Sequence, residues 1–322
     1  MDVVGPLVIL NWQVSEAWTL DANLGADTIS SASVDAMDGN LSTASAIDTR
    51  AYTAVTMTRE TPKQSFGFTT GVSVEYDYRS LSAGLSWSRD FRQETTSVGL
   101  GLRRYSDTID LYDIDGVNRG ADDRATTDVS VSLTQVLSRR TVAAIELSLS
   151  DQSGFLSTPF HEVILAPDGE RVAERLPGAR QRVALGLRLN HAFGQRLVGR
   201  FGLRAYDDDW GIAATTIEIE PHFRLARDGD TWIFPILRHH DQQGSDYFGL
   251  PGVFDGSEAY YTADRDLSTF TSQKYGIGWK WGQGAGGRRL GWNRFETRLT
   301  YYTRDDGLDS ISTSFQFGWS LR

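Results

Sequence analysis

The chain has 322 residues, a formal net charge of −10 and no cysteine. The lack of cysteine excludes disulfides and thiolate metal sites, and the acidic balance argues against nucleic acid as a partner. Apolar residues make up 40% of the chain, and none of their runs approaches the roughly eighteen residues that a transmembrane helix needs.

Apolar and polar residues alternate along most of the chain, and helical periodicity is almost absent. In residues 18–27, for example, Trp18, Leu20 and Leu24 alternate with polar or small residues. A period of two predicts β-strands that have one apolar face. The clearest predicted strands lie near residues 3–13, 18–27, 66–78, 81–91, 98–102, 129–137, 145–149, 183–193, 197–205, 217–225, 275–282, 295–301 and 310–322.

The connections between these strands alternate in length. Short turns such as residues 61–64 and 138–141 alternate with longer, more acidic segments near residues 33–48, 106–123, 154–178 and 243–267. Short turns at one rim and longer loops at the other are typical of a transmembrane barrel. The sequence therefore predicts one all-β domain over residues 1–322, a closed antiparallel up-and-down transmembrane β-barrel.

The expected size of the barrel is about sixteen strands. Fifteen strands are visible in the sequence, and the alternation of loops makes the segment at residues 3–13 run toward the short-turn rim. Single-chain bacterial barrels have an even number of strands, which start and end at that rim. We therefore expect one strand to be missing from the start; a miscount by one strand is the alternative.

A soluble antiparallel sandwich would alternate in the same way, with its apolar faces meeting inside. Three features favour the membrane: charges in mid-strand on the polar faces, aromatic residues near strand ends, and successive hairpins without a long crossover. We predict that the mid-strand charges line the lumen: Glu75, Arg188, Arg200, Arg204, Glu218, Glu220, Lys280, Glu296 and Arg298. Their mixed signs would either interlock and fill the barrel or line a partly open channel, which sixteen strands leave room for.

The last predicted strand carries Phe315, Phe317, Trp319 and Leu321 on one face. We expect this face to contact lipid and to be the signal that the barrel-assembly machinery reads. Such signals usually end on an aromatic residue, whereas this chain ends on Leu321 and Arg322.

Other polar clusters carry weaker predictions. His239 and His240 are consecutive in a strand, so they point to opposite faces and cannot together bind one ion. The acidic segments Asp110–Asp123 and Asp207–Gly211 lack the spacing of a calcium loop. We expect both segments to be solvated surface turns, and we expect no metal and no cofactor.

Three stretches resemble a known family, the proteobacterial outer-membrane β-barrels of domain of unknown function 3570. They are VSVEYDYRSLSAGLSWSRDF (Val72–Phe91), SLTQVLSRRTVAAIELSLSDQSGFLSTPF (Ser132–Phe160) and RAYDDDWGIAATTIEIEP (Arg204–Pro221). The resemblance implies an outer-membrane barrel with a further segment before the stretch VVGPLVILNW. It also implies an extracytoplasmic context that includes a small lipoprotein, a thioredoxin-like protein and a flavin-attaching enzyme, but no activity that can be assigned to residues.

The leading functional hypothesis is a non-enzymatic barrel in the Gram-negative outer membrane. It would form an aqueous pore or docking tunnel for a small polar solute or for a lipoprotein or peptide segment. Its expected partners are outer-membrane lipid, lipopolysaccharide, the barrel-assembly machinery and a periplasmic lipoprotein. The alternatives are a non-conducting scaffold for a lipoprotein or redox partner and, more weakly, a barrel hydrolase. Whether the loop Phe155–Pro177 folds into the lumen is left open.

Overall fold

A computed structural model describes residues 2–30, 47–113, 116–159, 161–225, 230–282 and 291–320. Within these ranges no helix is both long and apolar enough to cross a bilayer. Almost all regular structure is β-strand: β1 Asp2–Val4, β2 Leu7–Ser15, β3 Trp18–Ser30, β4 Ile47–Thr61, β5 Gln64–Val74, β6 Tyr78–Phe91, β7 Thr96–Tyr112, β8 Asn118–Ser138, β9 Thr141–Gly154, β10 Glu162–Ile164, β11 Arg171–Ala173, β12 Ala179–Ala192, β13 Leu197–Asp208, β14 Ala213–Arg224, β15 Asp230–Gln243, β16 Phe270–Gly282, β17 Gly291–Arg304 and β18 Asp309–Ser320.

Sixteen of the strands form one antiparallel sheet in chain order, and β10 and β11 form a separate hairpin. β1 and β2 both pair with β3, at Thr28–Ser30 and at Trp18–Gly25. They therefore occupy one edge position, interrupted at Gly5 and Pro6, and the sheet has fifteen positions. The all-β antiparallel prediction is confirmed. Within the described residues no pairing joins β18 to β1 or β2, so closure of the sheet and its final size stay predictions.

Strand pairing keeps apolar residues on one face of the sheet. Leu187, Leu203 and Ile217, for example, lie in one row across β12, β13 and β14. Such residues remain exposed over the whole sheet, among them Leu85 and Ile277. They do not meet in a protein core, so the sheet is not arranged as a soluble sandwich would be.

The connections divide into two sets, as the sequence predicts, but not every predicted long loop is one. Most of residues 106–123 belongs to β7 and β8, which extend the hairpin beyond the alternating segment, and most of residues 33–48 lies outside the described residues. One rim carries short turns, such as residues 62–63 and 139–140, and the other carries longer loops at residues 155–178 and 244–269. These two long loops pack on each other. Val163, Leu165, Phe254 and Tyr261 form their shared apolar core, and an isolated bridge pairs Arg175 with Tyr261. We call this pair of loops the cap.

A second packed feature lies on the polar face of β14 to β17. The ring of Phe234 is fully buried, stacks on His222 at 4.2 Å between ring centres, and lies opposite Gly278 on the next strand. The guanidinium group of Arg298 sits 5.1 Å from the centre of the same ring. Gly278 lies between these two residues in the register, so its missing side chain leaves room for their contact.

We expect Gly278→Ala to destabilise the sheet by about 1–3 kcal/mol, because the new Cβ would overlap the ring of Phe234. The measurement is the midpoint of thermal unfolding, followed by the circular dichroism of the β-sheet. The control is Gly186→Ala, also on the polar face, where the nearest atom to the new Cβ is the Glu146 carbonyl oxygen at 3.9 Å. Equal stability of the two variants would contradict the packing described for Phe234.

Candidate functional site: the charged face of the sheet

The register places eight of the nine predicted lumen residues, all except Glu75, on the face opposite the exposed apolar residues. Arg188 lies opposite Gly202, and Gly202 lies opposite Glu218. In the register, Arg200 lies opposite Glu220 and Lys280 lies opposite Glu296. Glu75 follows the end of β5, where its carboxylate lies 3.3 Å from Arg50. Side-chain contacts divide the nine into an interlocked group (Glu220, Glu296 and Arg298), two residues in separate ion pairs (Glu75 and Arg188), and four without a recorded ion pair within the described ranges (Arg200, Arg204, Glu218 and Lys280).

The interlocked group spans four strands near the short-turn rim. Arg298 on β17 donates to Glu220 on β14 at 3.2 Å and to Glu296 on its own strand at 3.0 Å. Glu220 also lies 3.1 Å from His222, and Glu296 accepts a hydrogen bond from Arg294. Because Arg298 reaches over β16 and β15, this part of the polar face is covered by the network itself.

The remaining polar face is open in two adjacent cavities. The outer cavity, of about 270 Å³, lies under the cap and is lined by Arg204, Arg238 and His240 and by Leu267 of the cap. The inner cavity, of about 260 Å³, is lined by Glu146, Arg188 and Glu218. Arg204 and Thr216 line both cavities. Arg204 and Thr216 therefore lie at the boundary between the two cavities.

The ion pair of the inner cavity is more exposed to solvent than those of the interlocked group. Arg188 donates to Glu146 at 3.0 Å, but both side chains keep much of their exposure, 70% and 44%. Pairs with this much exposure contribute little to stability because water screens them. The pair leaves both side chains in contact with solvent inside the cavity.

Asp208 corrects one sequence interpretation. The segment Asp207–Gly211 was expected to be a solvated turn, but the side chain of Asp208 is fully buried. Its carboxylate accepts hydrogen bonds from the Arg180 guanidinium at 2.5 and 3.0 Å and from the Tyr206 hydroxyl at 2.7 Å. It also accepts the backbone N–H groups of the turn at residues 210 and 212. The carboxylate thus fixes the turn and neutralises Arg180, which sequence spacing alone could not show.

The cap contains a second buried carboxylate. The side chain of Glu174 is 1% exposed and accepts hydrogen bonds from the backbone N–H of Thr158 and from the hydroxyl of Thr262 in the other loop. His161 lies 3.7 Å from the same carboxylate. Burial disfavours the imidazolium ion, but the negative charge of Glu174, together with those of Asp264 and Asp266, outweighs this and raises the pKa of His161 above 6.5. His161 and Glu174 therefore form a pH-sensitive contact within the loop at residues 155–178, and the same carboxylate joins this loop to Thr262 of the other loop.

No metal site emerges from the parts of the chain that the structure describes, where no group of three or more His, Asp or Glu residues could hold an ion. Asp110 binds Arg79 and Asp113 binds Arg119, while Asp115 lies outside the described residues. His239 and His240 have different partners, Gln273 and Thr216, which agrees with their opposite orientations.

The C-terminal strand presents its predicted aromatic face to the exterior of the sheet. Phe315, Phe317 and Trp319 are all more than half exposed, and Leu321 lies outside the described residues. This location suits contact with lipid. The role of these residues as an assembly signal stays a prediction.

A family model described as "Protein of unknown function (DUF3570)" matches residues 35–313. The chain belongs to this family. The resemblance seen in the sequence is thereby confirmed over most of the DUF3570 chain. No curated protein matches it.

Solved structures share the fold of this DUF3570 protein at low sequence identity. The bacterial polysaccharide outer membrane secretin is 13% identical with a TM-score of 0.56, and the match covers 99% of this chain and 91% of the secretin. The ferric enterobactin receptor PfeA of Pseudomonas aeruginosa in complex with BCV-L6 is 11% identical with a TM-score of 0.53, covering 94% and 51%. The siderophore receptor PirA of Pseudomonas aeruginosa is 13% identical with a TM-score of 0.50, covering 98% and 57%. The DUF3570 chain thus spans about half the length of the siderophore receptors that it matches.

Sequence reasoning missed the part that β15 plays in the outer cavity. Phe234 and Ile236 are apolar residues on the polar face, so they interrupt the period of two just before Arg238. The only signal for Arg238 was its position one residue after Leu237, which continues the apolar face. A pattern read through Leu237 and His239 would have placed Arg238 and His240 on the polar side.

The cap is expected to loosen as the pH rises. Because the pKa of His161 is raised in the folded cap, its contribution to stability is complete below the ordinary histidine pKa of about 6.5 and is lost above the raised value. Limited proteolysis of the loop at residues 155–178 should therefore be faster at about pH 8.5 than at about pH 6. Cleavage at residues 113–117 serves as the internal reference for protease activity.

The matched variant is His161→Gln, which should remove this pH dependence relative to the reference site. The groups that face His161 are the buried Glu174 and the carboxylates of Asp264 and Asp266. Burial also raises the pKa of the Asp264 carboxyl above its ordinary value. A wild-type cap that becomes more resistant with rising pH would contradict the role of His161.

Proposed function

We propose that the chain is a β-barrel of the Gram-negative outer membrane whose polar face surrounds a water-filled passage. The observation that carries the proposal is the division of the sheet into a continuous exposed apolar face and a charged face that holds accessible cavities. Apolar residues exposed over a whole sheet are stable in lipid and a liability in water. The outer-membrane proteins among the structural neighbours support the same location.

Closure of the sheet is part of the proposal. An open sheet edge leaves N–H and C=O groups without partners, and hydrocarbon cannot supply them. In an antiparallel sheet of fifteen positions the two edge strands run in the same direction. Closure therefore needs either a parallel pair between the β1–β2 edge and β18 or one further strand between them.

The passage is proposed to carry a small polar solute or to admit a lipoprotein or peptide segment. Acidic and basic side chains both reach the cavities, as Glu218 and Arg204 show. Opposed charges on a polar wall orient polar solutes without selecting strongly for one sign of ion. The interlocked group around Arg298 fills only part of this wall, which supports an interior that is partly open.

A non-conducting scaffold is the second candidate, and the cap favours it. Asp266 and Leu267 of the loop at residues 244–269 line the outer cavity, so this loop covers part of the interior. Arg304 on β17 holds Asp266 at 2.6 Å. A barrel closed in this way could present its cap to a lipoprotein or redox partner without transport.

The proposal is non-enzymatic. A serine hydrolase needs a histidine in hydrogen-bond reach of the nucleophile. All five histidines lie in described ranges, and their side chains contact Glu174, Thr141, Glu220, Gln273 and Thr216 there rather than serine hydroxyls.

The binding partners that we propose are membrane lipid, lipopolysaccharide, the barrel-assembly machinery and a periplasmic lipoprotein, with no nucleic acid.

Conductance of the purified protein in planar bilayers tests the passage. We expect stable open-channel steps with weak ion selectivity, because the wall carries both signs of charge. Heat-modifiable gel mobility of the same sample is the control for folding. Silence at all voltages from protein that passes this control would overturn the passage and favour the scaffold.

A further inference from the structure

The outer cavity carries an excess of positive charge. Four cationic or ionisable basic side chains line it, Arg180, Arg204, Arg238 and His240, against one carboxylate, Asp266. This balance differs from that of the whole chain, which is acidic. It also differs from the inner cavity, where the carboxylates of Glu146 and Glu218 face two arginines.

Ion pairs neutralise some of the charged side chains that line the outer cavity. Asp208 neutralises Arg180, with contacts of 2.5 and 3.0 Å. Arg304 lies 2.6 Å from Asp266 and also pairs with Asp306, so it offsets part of the negative charge of Asp266. Arg204 and Arg238 are left, and within the described ranges neither has an ion-pair partner.

The two residues opposite Arg238 on the adjacent strands do not change the excess of positive charge. Glu218 lies opposite it on β14 and Lys274 lies opposite it on β16. The negative charge of one neighbour offsets the positive charge of the other. Arg204 lies between Gly186 and Thr216, neither of which is charged. The wall at this level therefore has an excess of positive charge, carried by Arg204 and Arg238.

A negatively charged ligand would balance this excess, and the cavity of about 270 Å³ has room for a small one. Guanidinium groups match the oxygens of phosphate in geometry, and a phosphate group carries between about one and a half and two negative charges at neutral pH.

We propose that the outer cavity binds a small phosphate-bearing anion between Arg204 and Arg238. The hydroxyl of Thr216, which lines the same cavity, lies beside Arg204 in the register and 2.8 Å from His240. The site would be the first that an anion meets below the cap. Arg204 also lines the inner cavity, so it is placed to pass the anion inward. For this role in transport the inference rests on the proposed passage, but binding can be measured without flux.

The test is equilibrium binding of inorganic phosphate to the purified full chain in detergent, by isothermal titration calorimetry at fixed ionic strength. We expect saturable binding with a stoichiometry of one. Loss of a charged hydrogen-bond partner should weaken binding about tenfold or more in Arg204→Gln and in Arg238→Gln. Acetate, which carries one negative charge, should bind at least about tenfold more weakly than phosphate to the unaltered chain.

The matched control is Arg200→Gln. Arg200 lies on the same strand and face as Arg204, has no recorded ion pair in the described ranges, and lines neither cavity. Its removal changes the net charge equally and should leave phosphate affinity within about twofold, because a screened distant charge adds little. Heat-modifiable mobility verifies that each variant is folded.

Three results would overturn the site: no phosphate binding to the unaltered chain, equal binding of acetate, or equal weakening by Arg200→Gln. Each of these can occur in a protein that conducts ions. Conversely, specific phosphate binding to a protein that is silent in planar bilayers would refute the passage and leave the binding site in place. Failure of the site and failure of the proposed passage are therefore distinguishable.

Discussion

The two-residue period of the β-strand is the constraint on which the rest of this structure depends. It places every second side chain on the same face, and pairing in register extends each face across the sheet. One face becomes continuously apolar and the other collects glycine, serine, threonine and charged residues. A slip of one residue would reverse both faces of a strand, so the long alternating segments also fix the register.

The polar face is not uniform. Near the short-turn rim, Glu220, Phe234 and Arg298 interlock across four strands, and Gly278 is the small residue that lets them meet. Toward the long-loop rim the wall carries the two cavities, where Arg204 has no ion-pair partner among the residues that the structure describes. The buried carboxylates of Asp208 and Glu174 organise the rim itself, one fixing a turn and the other joining the two loops of the cap. Fixed contacts thus lie on both sides of the charged cavities.

Much of this fold follows from the sequence because a local pattern determines it. The strands, their faces, the alternation of turns and loops and the facing of Arg188, Glu218 and Lys280 all derive from the period of two. Contacts between segments far apart in sequence have no such local signal. The hydrogen bond between Glu174 and Thr262, the burial of Asp208 and the reach of Arg298 to Glu220 each depend on how strands and loops meet in three dimensions. The outer cavity escaped sequence reasoning for the same reason, since Phe234 and Ile236 disguise the strand that supplies Arg238.

The most direct test of the central claim is the accessibility of single cysteines, since the chain contains none of its own. Gly202→Cys and Thr216→Cys report on the polar face, and Leu203→Cys and Ile217→Cys report on the apolar face of the same two strands. In reconstituted vesicles, the account predicts that a water-soluble thiol reagent labels the first pair and leaves the second pair unlabelled. Equal labelling of all four positions, or labelling of the apolar face alone, would contradict a barrel with a water-filled interior and a lipid-facing exterior.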